Sequence, residues 1–228
     1  MTLLRKVTWS VPLLVGIFVV ALSAGWPSEA GAQVILADPA LPPESDPPDC
    51  DNLISLYMAE GLAAEFPGPV KMCTPRHRCF TNVFRQQMGN DEVETFDSIL
   101  DTKVDMGLGS VWVTLTGPVT TRVYNKWGNT TGLFDAEIVS MSLSGSVGGY
   151  DIAVQESPAL ASLGQTDIVD LGGGLYHIDS FFDVFVELSV DGGPWMPQLN
   201  PAAHMVLIPL ETVPAQPTTW GAIKALYD

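Results

Sequence analysis

From about residue 70 onward, apolar and polar positions along the chain alternate with a period of two, the signature of half-buried strands. In Ser110–Thr116, Val111, Val113 and Leu115 alternate with Ser110, Trp112, Thr114 and Thr116. Gly117-Pro118 reads as a turn, followed by a strand over Val119–Lys126 and a further turn at Gly128-Asn129. Between Gly132 and Gly145 the phase changes. Phe134, Ala136 and Ile138 share one parity, whereas Met141 and Leu143 take the other. One extra residue near Val139–Ser140 accounts for this and predicts a β-bulge. Tyr150, Ile152 and Val154 alternate again. The clearest strand runs from His177 to Val190, with Phe182, Val184, Val186, Leu188 and Val190 on one face and Phe181, Asp183, Phe185, Glu187 and Ser189 on the other. A one-residue slip would bury Asp183 and Glu187, so the register is strongly set. Asp191-Gly192-Gly193 turns the chain, and a last strand lies near Ala203–Leu210.

Short strands, Gly/Pro turns and no alternation of strands with helices predict an all-β fold. The expected form is an antiparallel β-sandwich or flattened barrel of about 8–10 strands. Residues 52–64 form either a short helix, limited by Gly61 and Pro67, or a strand. No fixed-period repeat is present, which counts against a solenoid or propeller.

The ends differ in character. Arg5 and Lys6, the apolar run Val11–Ala24 and the small-residue stretch Ala30-Gly31-Ala32 read as a signal peptide cleaved after Ala32, with Ala24 as the second choice. The run is shorter than the ~20 residues that span a bilayer. Residues 33–49 hold five prolines and four acids and read as an extended linker. The β domain is expected over 50–211. Residues 212–228 are a second linker and a short tail, with Trp220, Ile223, Leu226 and Tyr227 at helical spacing. That tail either docks on its own domain or is read by export or attachment machinery.

Export changes how charge and cysteine are read. Cleavage after Ala32 removes Arg5, Lys6 and Glu29 from 10 basic and 26 acidic residues, leaving 8 against 25, a net −17. Such a charge disfavours nucleic acid and anionic lipid. It suits a protein held in the periplasm, at the cell surface or outside the cell, whose partner is a surface or matrix polymer, glycan or protein. An oxidising compartment favours disulfides. Cys73 and Cys79 enclose Thr-Pro-Arg-His-Arg, where Pro75 suggests a turn, so these two are the expected pair and Cys50 is left over. A Cys3His zinc set from Cys50, Cys73, His77 and Cys79 is the alternative, although C-x3-H-x-C is not a ligand knuckle.

Candidate chemistry is sparse. Asp183 and Glu187 share a strand face ~13.6 Å apart, too far for a glycosidase pair. Asp135 and Glu137, at i and i+2, are ~6.8 Å apart, within the inverting range. His177 and Asp179 share a face while Ser180 points away, so these three make no triad. His77, His177 and His204 are widely spaced in sequence. Nucleophile-elbow, zincin and phosphate-loop motifs are absent. Asp167, Asp170, Asp179 and Asp183 flank glycine turns and are the candidate ligands for Ca2+. Phe181 and Phe185 beside Asp183 and Glu187 give an aromatic–acidic face suited to a sugar or a protein partner, or to cover by another strand.

Ser189-Val-Asp-Gly-Gly-Pro-Trp195 resembles the Asp-box S-x-D-x-G-x-x-W with one residue missing before Trp195, which implies a hairpin. More broadly, Asp91–Ser98, Leu115–Val119, Thr131–Glu137 and above all Tyr176-His-Ile-Asp-Ser-Phe-Phe-Asp-Val-Phe-Val-Glu-Leu-Ser-Val-Asp-Gly-Gly193 resemble exported proteins of planctomycete-type and related environmental bacteria, many with a PEP-CTERM sorting segment. No such hydrophobic anchor ends this chain. The resemblance implies export and a bacterial source, and no chemistry. The resulting expectation is a non-enzymatic exported protein with a surface, matrix or binding role. A polysaccharide hydrolase and a calcium-binding extracellular module are the alternatives.

Overall fold

The computed structural model describes residues 34–37, 39–41, 50 and 55–209. The segments read as a signal peptide and a C-terminal tail therefore lie outside the described residues. Within them the chain is all-β, with thirteen strands and no helix. In chain order these are β1 (Val34–Leu36), β2 (Ser55–Met58), β3 (Leu62–Glu65), β4 (Val70–Met88), β5 (Asp91–Met106), β6 (Ser110–Val123), β7 (Gly132–Val147), β8 (Tyr150–Glu156), β9 (Ser162–Gly172), β10 (Leu175–Val184), β11 (Val186–Val190), β12 (Met196–Pro197) and β13 (Ala203–Pro209).

All the pairings are antiparallel, and they return on themselves. The sheet runs β10-β13-β2-β4-β5-β6-β7, and β9 then pairs with both β7 and β10. Eight strands thus form a closed circuit, the flattened-barrel form of the predicted sandwich. β1, β3 and β12 add to its rims on β10, β4 and β11. β8 and β9 together act as one long strand between β7 and the β10–β11 pair. Ser142–Val147 of β7 face β8, and Gly132–Ile138 face β9. Phe185 separates β10 from β11, and Ser157–Ala161 separate β8 from β9. Both breaks are stitched together. Phe185 N donates to Ser162 Oγ (2.8 Å), and Ser157 N donates to the Phe185 carbonyl (3.0 Å). The strand expected over His177–Val190 is therefore two, but its apolar parity holds through Ile178, Val184, Val186 and Leu188, all buried.

The predicted bulge is present. Thr120 pairs with Ser140 and Thr121 with Ile138, so Val139 is the extra residue on β7. It lets Phe134, Ala136, Ile138, Met141 and Leu143 all point into the core.

Of the two readings of residues 52–64 the strand holds, with β2 at Ser55–Met58 and β3 at Leu62–Glu65. Three expectations are corrected. Gly117-Pro118 is not a turn, because β6 runs straight through it. The register to β7 is unbroken from Thr116↔Ser144 to Val119↔Met141, with no ladder partner for Gly117 or Pro118 between. Pro118 therefore sits where its missing N–H costs nothing, and a Cβ on Gly117 would overlap the Ser142 carbonyl oxygen. The Pro-rich segment is not wholly a linker, since Val34 and Leu36 pair with β10 and are buried, as is Leu41. Finally, the disulfide joins Cys50 to Cys79, with Cα atoms 5.5 Å apart, and Cys73 is a free thiol. Cys73 and Cys79 lie on the same strand β4, which continues through Pro75. Six residues of strand span roughly 20 Å, far beyond the ~7 Å limit for a bridge. With two sulfurs bonded to each other, the Cys3His set is also gone.

Two measurements check these assignments. The bridge closes a loop with a sequence separation of 29, so Cys79→Ser should lower unfolding stability by about 3–4 kcal/mol in urea. The unreduced wild-type chain should titrate one thiol when denatured. Gly117→Ala should cost about 2 kcal/mol or more, because the backbone it meets is held on both sides.

Candidate functional site

Closing the strand circuit divides every strand into an inner and an outer row. The inner row is filled. Among the described residues it leaves one void of about 30 Å³ lined by residues including Leu41, Tyr57, His77, Phe96, Thr121 and Phe182, and another of about 30 Å³ lined by residues including Met72, Leu100, Met141 and Val186. Each is room for a water and too little for an organic ligand. The buried polar groups are mostly satisfied by one another. Tyr57 OH donates to Ser180 Oγ (2.9 Å), His77 Nε2 lies 2.7 Å from Ser98 Oγ, and Thr102 Oγ1 donates to the Cys73 carbonyl (2.9 Å). Burial pushes the Tyr57 phenol up and the His77 imidazole down to about 4, so His77 is neutral at pH 7. Glu94 is fully buried 3.1 Å from Arg85, and desolvation outweighs that attraction, holding its carboxyl well above the usual range.

The outer row of β7, β9, β10 and β13 carries most of the candidate residues. The register sets Leu133, Asp135 and Glu137 of β7 beside Asp167, Gln165 and Leu163 of β9, in that order. Those residues face Asp179, Phe181 and Asp183 of β10. On the far side, Phe181 and Asp183 meet Val206 and His204 of β13. The result is a shallow groove of about 300 Å³ lined by Leu133, Gln165, Asp167, Asp179, Phe181 and His204, among others. The Phe181 and His204 rings lie 5.0 Å apart, tilted by 40°. His204 Nδ1 sits 2.7 Å from Asp183 Oδ1, which fixes the ring beside Phe181. Gln165 Nε2 donates to Asp135 Oδ1 (3.2 Å) across the neighbouring pair. Leu133 and Val206 stay exposed at the rim.

The chain matches no family model, no curated protein and no solved structure. The reading of this site therefore rests on its own geometry.

That geometry sorts the sequence candidates. Asp167 and Asp179 lie directly opposite each other on adjacent strands. The other two calcium candidates do not join them, because Asp170 Oδ1 accepts from Gly172 N in the β9–β10 turn and Asp183 is engaged by His204. Among the described residues no three His, Cys, Asp or Glu side chains converge as a metal set. Asp135 and Glu137 share the outer face as expected. Each is already bound, Asp135 to Gln165 and Glu137 Oε2 to the Tyr124 hydroxyl (2.5 Å). His177 and Asp179 point outward, and Ser180 points inward to Tyr57. Glu187 accepts from Gln155 Nε2 (2.9 Å), on the far side of the Phe185 break from Asp183. The three histidines are in separate places: His77 inside, His177 beside Asp179 and His204 beside Phe181. Sequence reasoning missed His204, Gln165, Leu133 and Val206 as members of the groove. They come from three other strands, and only the register brings them to Phe181.

One more carboxyl has an unusual setting. Glu156 ends β8 at the break, where Oε1 accepts from Ser162 N (3.1 Å) and Oε2 is buried without a partner. Desolvation raises its pKa to about 7. The folded protein therefore holds it neutral between about pH 4.5 and 7, while the unfolded chain ionises. Stability from this group is lost as pH rises through that window. His77 acts in the opposite sense, and its contribution is lost as pH falls from about 6.5 to 4. Glu156→Gln should thus melt increasingly above wild type as pH is raised from 5 to 8. A gap that stays constant across that range in thermal melts would refute the assignment.

Proposed function

We propose that this protein is exported and, without catalysing a reaction, holds a polymer of the cell surface or matrix, a glycan, on the outer face of β7, β9, β10 and β13. The observation that carries the proposal is the partly buried Phe181 ring, set against His204 and sharing an open groove with Asp167, Asp179 and Gln165. A sugar ring has an apolar face that stacks on an aromatic and hydroxyls that hydrogen-bond to carboxylates and amides. The groove offers both. It is also shallow and mostly built from rigid strands, which suits a chain passing over it better than a small molecule enclosed by it.

Other features agree. The Cys50–Cys79 bond fits an oxidising compartment, as does the signal-peptide pattern. The net charge of −16 turns away nucleic acid and acidic polymers. The circuit is apolar inside and, for the most part, polar outside, the reverse of a membrane-spanning barrel. The carboxylates that a hydrolase would recruit, Asp135 and Glu137, are bound to neighbours on an open surface rather than facing one another across a cleft.

Binding of the purified protein to a glycan array tests the proposal. Phe181→Ala should weaken the retained signals about tenfold or more, and Asp179→Asn should weaken them by a smaller factor. If no glycan is retained, or if Phe181→Ala binds like wild type, the proposal is wrong.

A further inference from the structure

A second depression lies on the same outer surface, beyond the level where Val139, Ser157–Ala161 and Phe185 interrupt their strands. Its floor is built from small residues in register. Ser144 of β7 faces Ala153 of β8, which faces Ser189 of β11, and Ser146 faces Asp151. Its wall is the β11–β12 turn, with Gly192, Gly193 and Trp195, and the groove measures about 600 Å³.

The wall is held rigidly. Ser189 Oγ donates to the Gly193 carbonyl (2.8 Å), and Gly193 N donates to the Val190 carbonyl (2.9 Å). Asp191 N donates to the Asp151 carbonyl (2.8 Å), and Asp151 N donates back to Asp191 Oδ1 (2.8 Å). The carboxylate of Asp191 is thereby spent on tying the turn to β8. That of Asp151 remains exposed at the floor. Trp195 is 42% exposed although it stands beside a fixed turn. The fold thus presents a large aromatic over a floor of hydroxyls and one carboxylate, with no bulky floor side chain to fill the space.

We propose that this groove is a second sugar-binding site, in which a neutral hexose ring stacks on Trp195 and its hydroxyls hydrogen-bond to Asp151, Ser144 and Ser146. Asp151, with Glu187 two rows along the same face and the acidic chain as a whole, excludes uronic and sulfated sugars. The turn that leads to Trp195 is tied down by these hydrogen bonds, so binding spends little entropy on ordering that backbone. The inference shares the ligand class of the Phe181 groove but uses none of its residues.

The test follows the indole N–H resonances of the purified, isotopically labelled protein. The Trp195 peak is assigned by its loss in Trp195→Phe. Neutral hexose oligomers of cello-, manno- and N-acetylated chito- type are titrated in, with an alginate oligomer as the acidic comparison. The expected result is a saturable shift of the Trp195 peak by at least one neutral oligomer. That affinity should fall about tenfold or more in Asp151→Asn, alginate should give no shift, and the response should be kept in Phe181→Ala. The site is refuted if no neutral oligomer shifts the peak, if alginate shifts it as well, if Asp151→Asn is indifferent, or if Phe181→Ala abolishes the response. Because Phe181→Ala leaves this groove intact, loss of array binding there with a preserved Trp195 shift separates failure of one site from failure of the other.

Discussion

The structure depends on one strand finding two partners. β9 completes the circuit by pairing with β7 on one side and β10 on the other, and in both ladders Gly164 is the close point, opposite Ala136 and Phe182. A Cβ at Gly164 would overlap the Phe181 carbonyl oxygen and the Phe182 ring. The glycine is what lets Phe182 turn inward over the closing strand and pack edge-on against Tyr57, 5.6 Å away. Closure removes the exposed strand edges that would otherwise template aggregation. It also fixes the register all the way round, because a slip in any ladder would have to be matched in the others. The remaining rims are covered by β1, β3 and β12, each four residues or fewer.

Period-two reasoning recovered what the circuit needs locally and missed what it needs from afar. The Val139 bulge was legible because the phase of Phe134–Ile138 against Met141–Leu143 is a property of one strand. The inward face of β10 and β11 was legible for the same reason. Gly117-Pro118 and Pro75 were misread because turn chemistry is a local rule, whereas both sites sit in strands whose neighbours decide the outcome. Gly117 answers to the Ser142 carbonyl, 25 residues on. Cys79 answers to Cys50, 29 residues back, and the proline content of residues 33–49 hid the strand at Val34–Leu36. The groove shows the same limit. The carboxylates of β7, β9 and β10 could be placed on a face from their parity. That His204 would stand beside Phe181, or Trp195 share a groove with Asp151, depends on pairings no single segment reveals.

Polar groups trapped inside the circuit set how it responds to pH. Glu156 favours the folded state least when the solution is neutral to alkaline, and His77 when it is acidic. Between about pH 4.5 and 6.5 the two slopes oppose each other and cancel, so these two groups together leave a plateau there, with stability falling on either side of it. Glu94, buried against Arg85, adds to the alkaline side, because its ionised form is the one that burial penalises.

The filled interior bears directly on function. An eight-stranded circuit encloses a space that either side chains or one small ligand can fill. Here Phe80, Phe96, Leu115, Phe182 and their neighbours fill it, and Leu41 closes over what remains. The binding proposed for this chain is thereby left to the outer rows, where side chains can be changed without touching the core. Those rows carry aromatic rings and carboxylates on both sides of a shared break, at Phe181 and at Trp195. The break itself arises from the bulge at Val139 and the two strand interruptions beside it. The features that bend the sheet also divide its outer face into two grooves. Each groove alone is shallow. A polymer long enough to engage both would bind through the product of two modest affinities, limited by the effective concentration that its own stiffness sets.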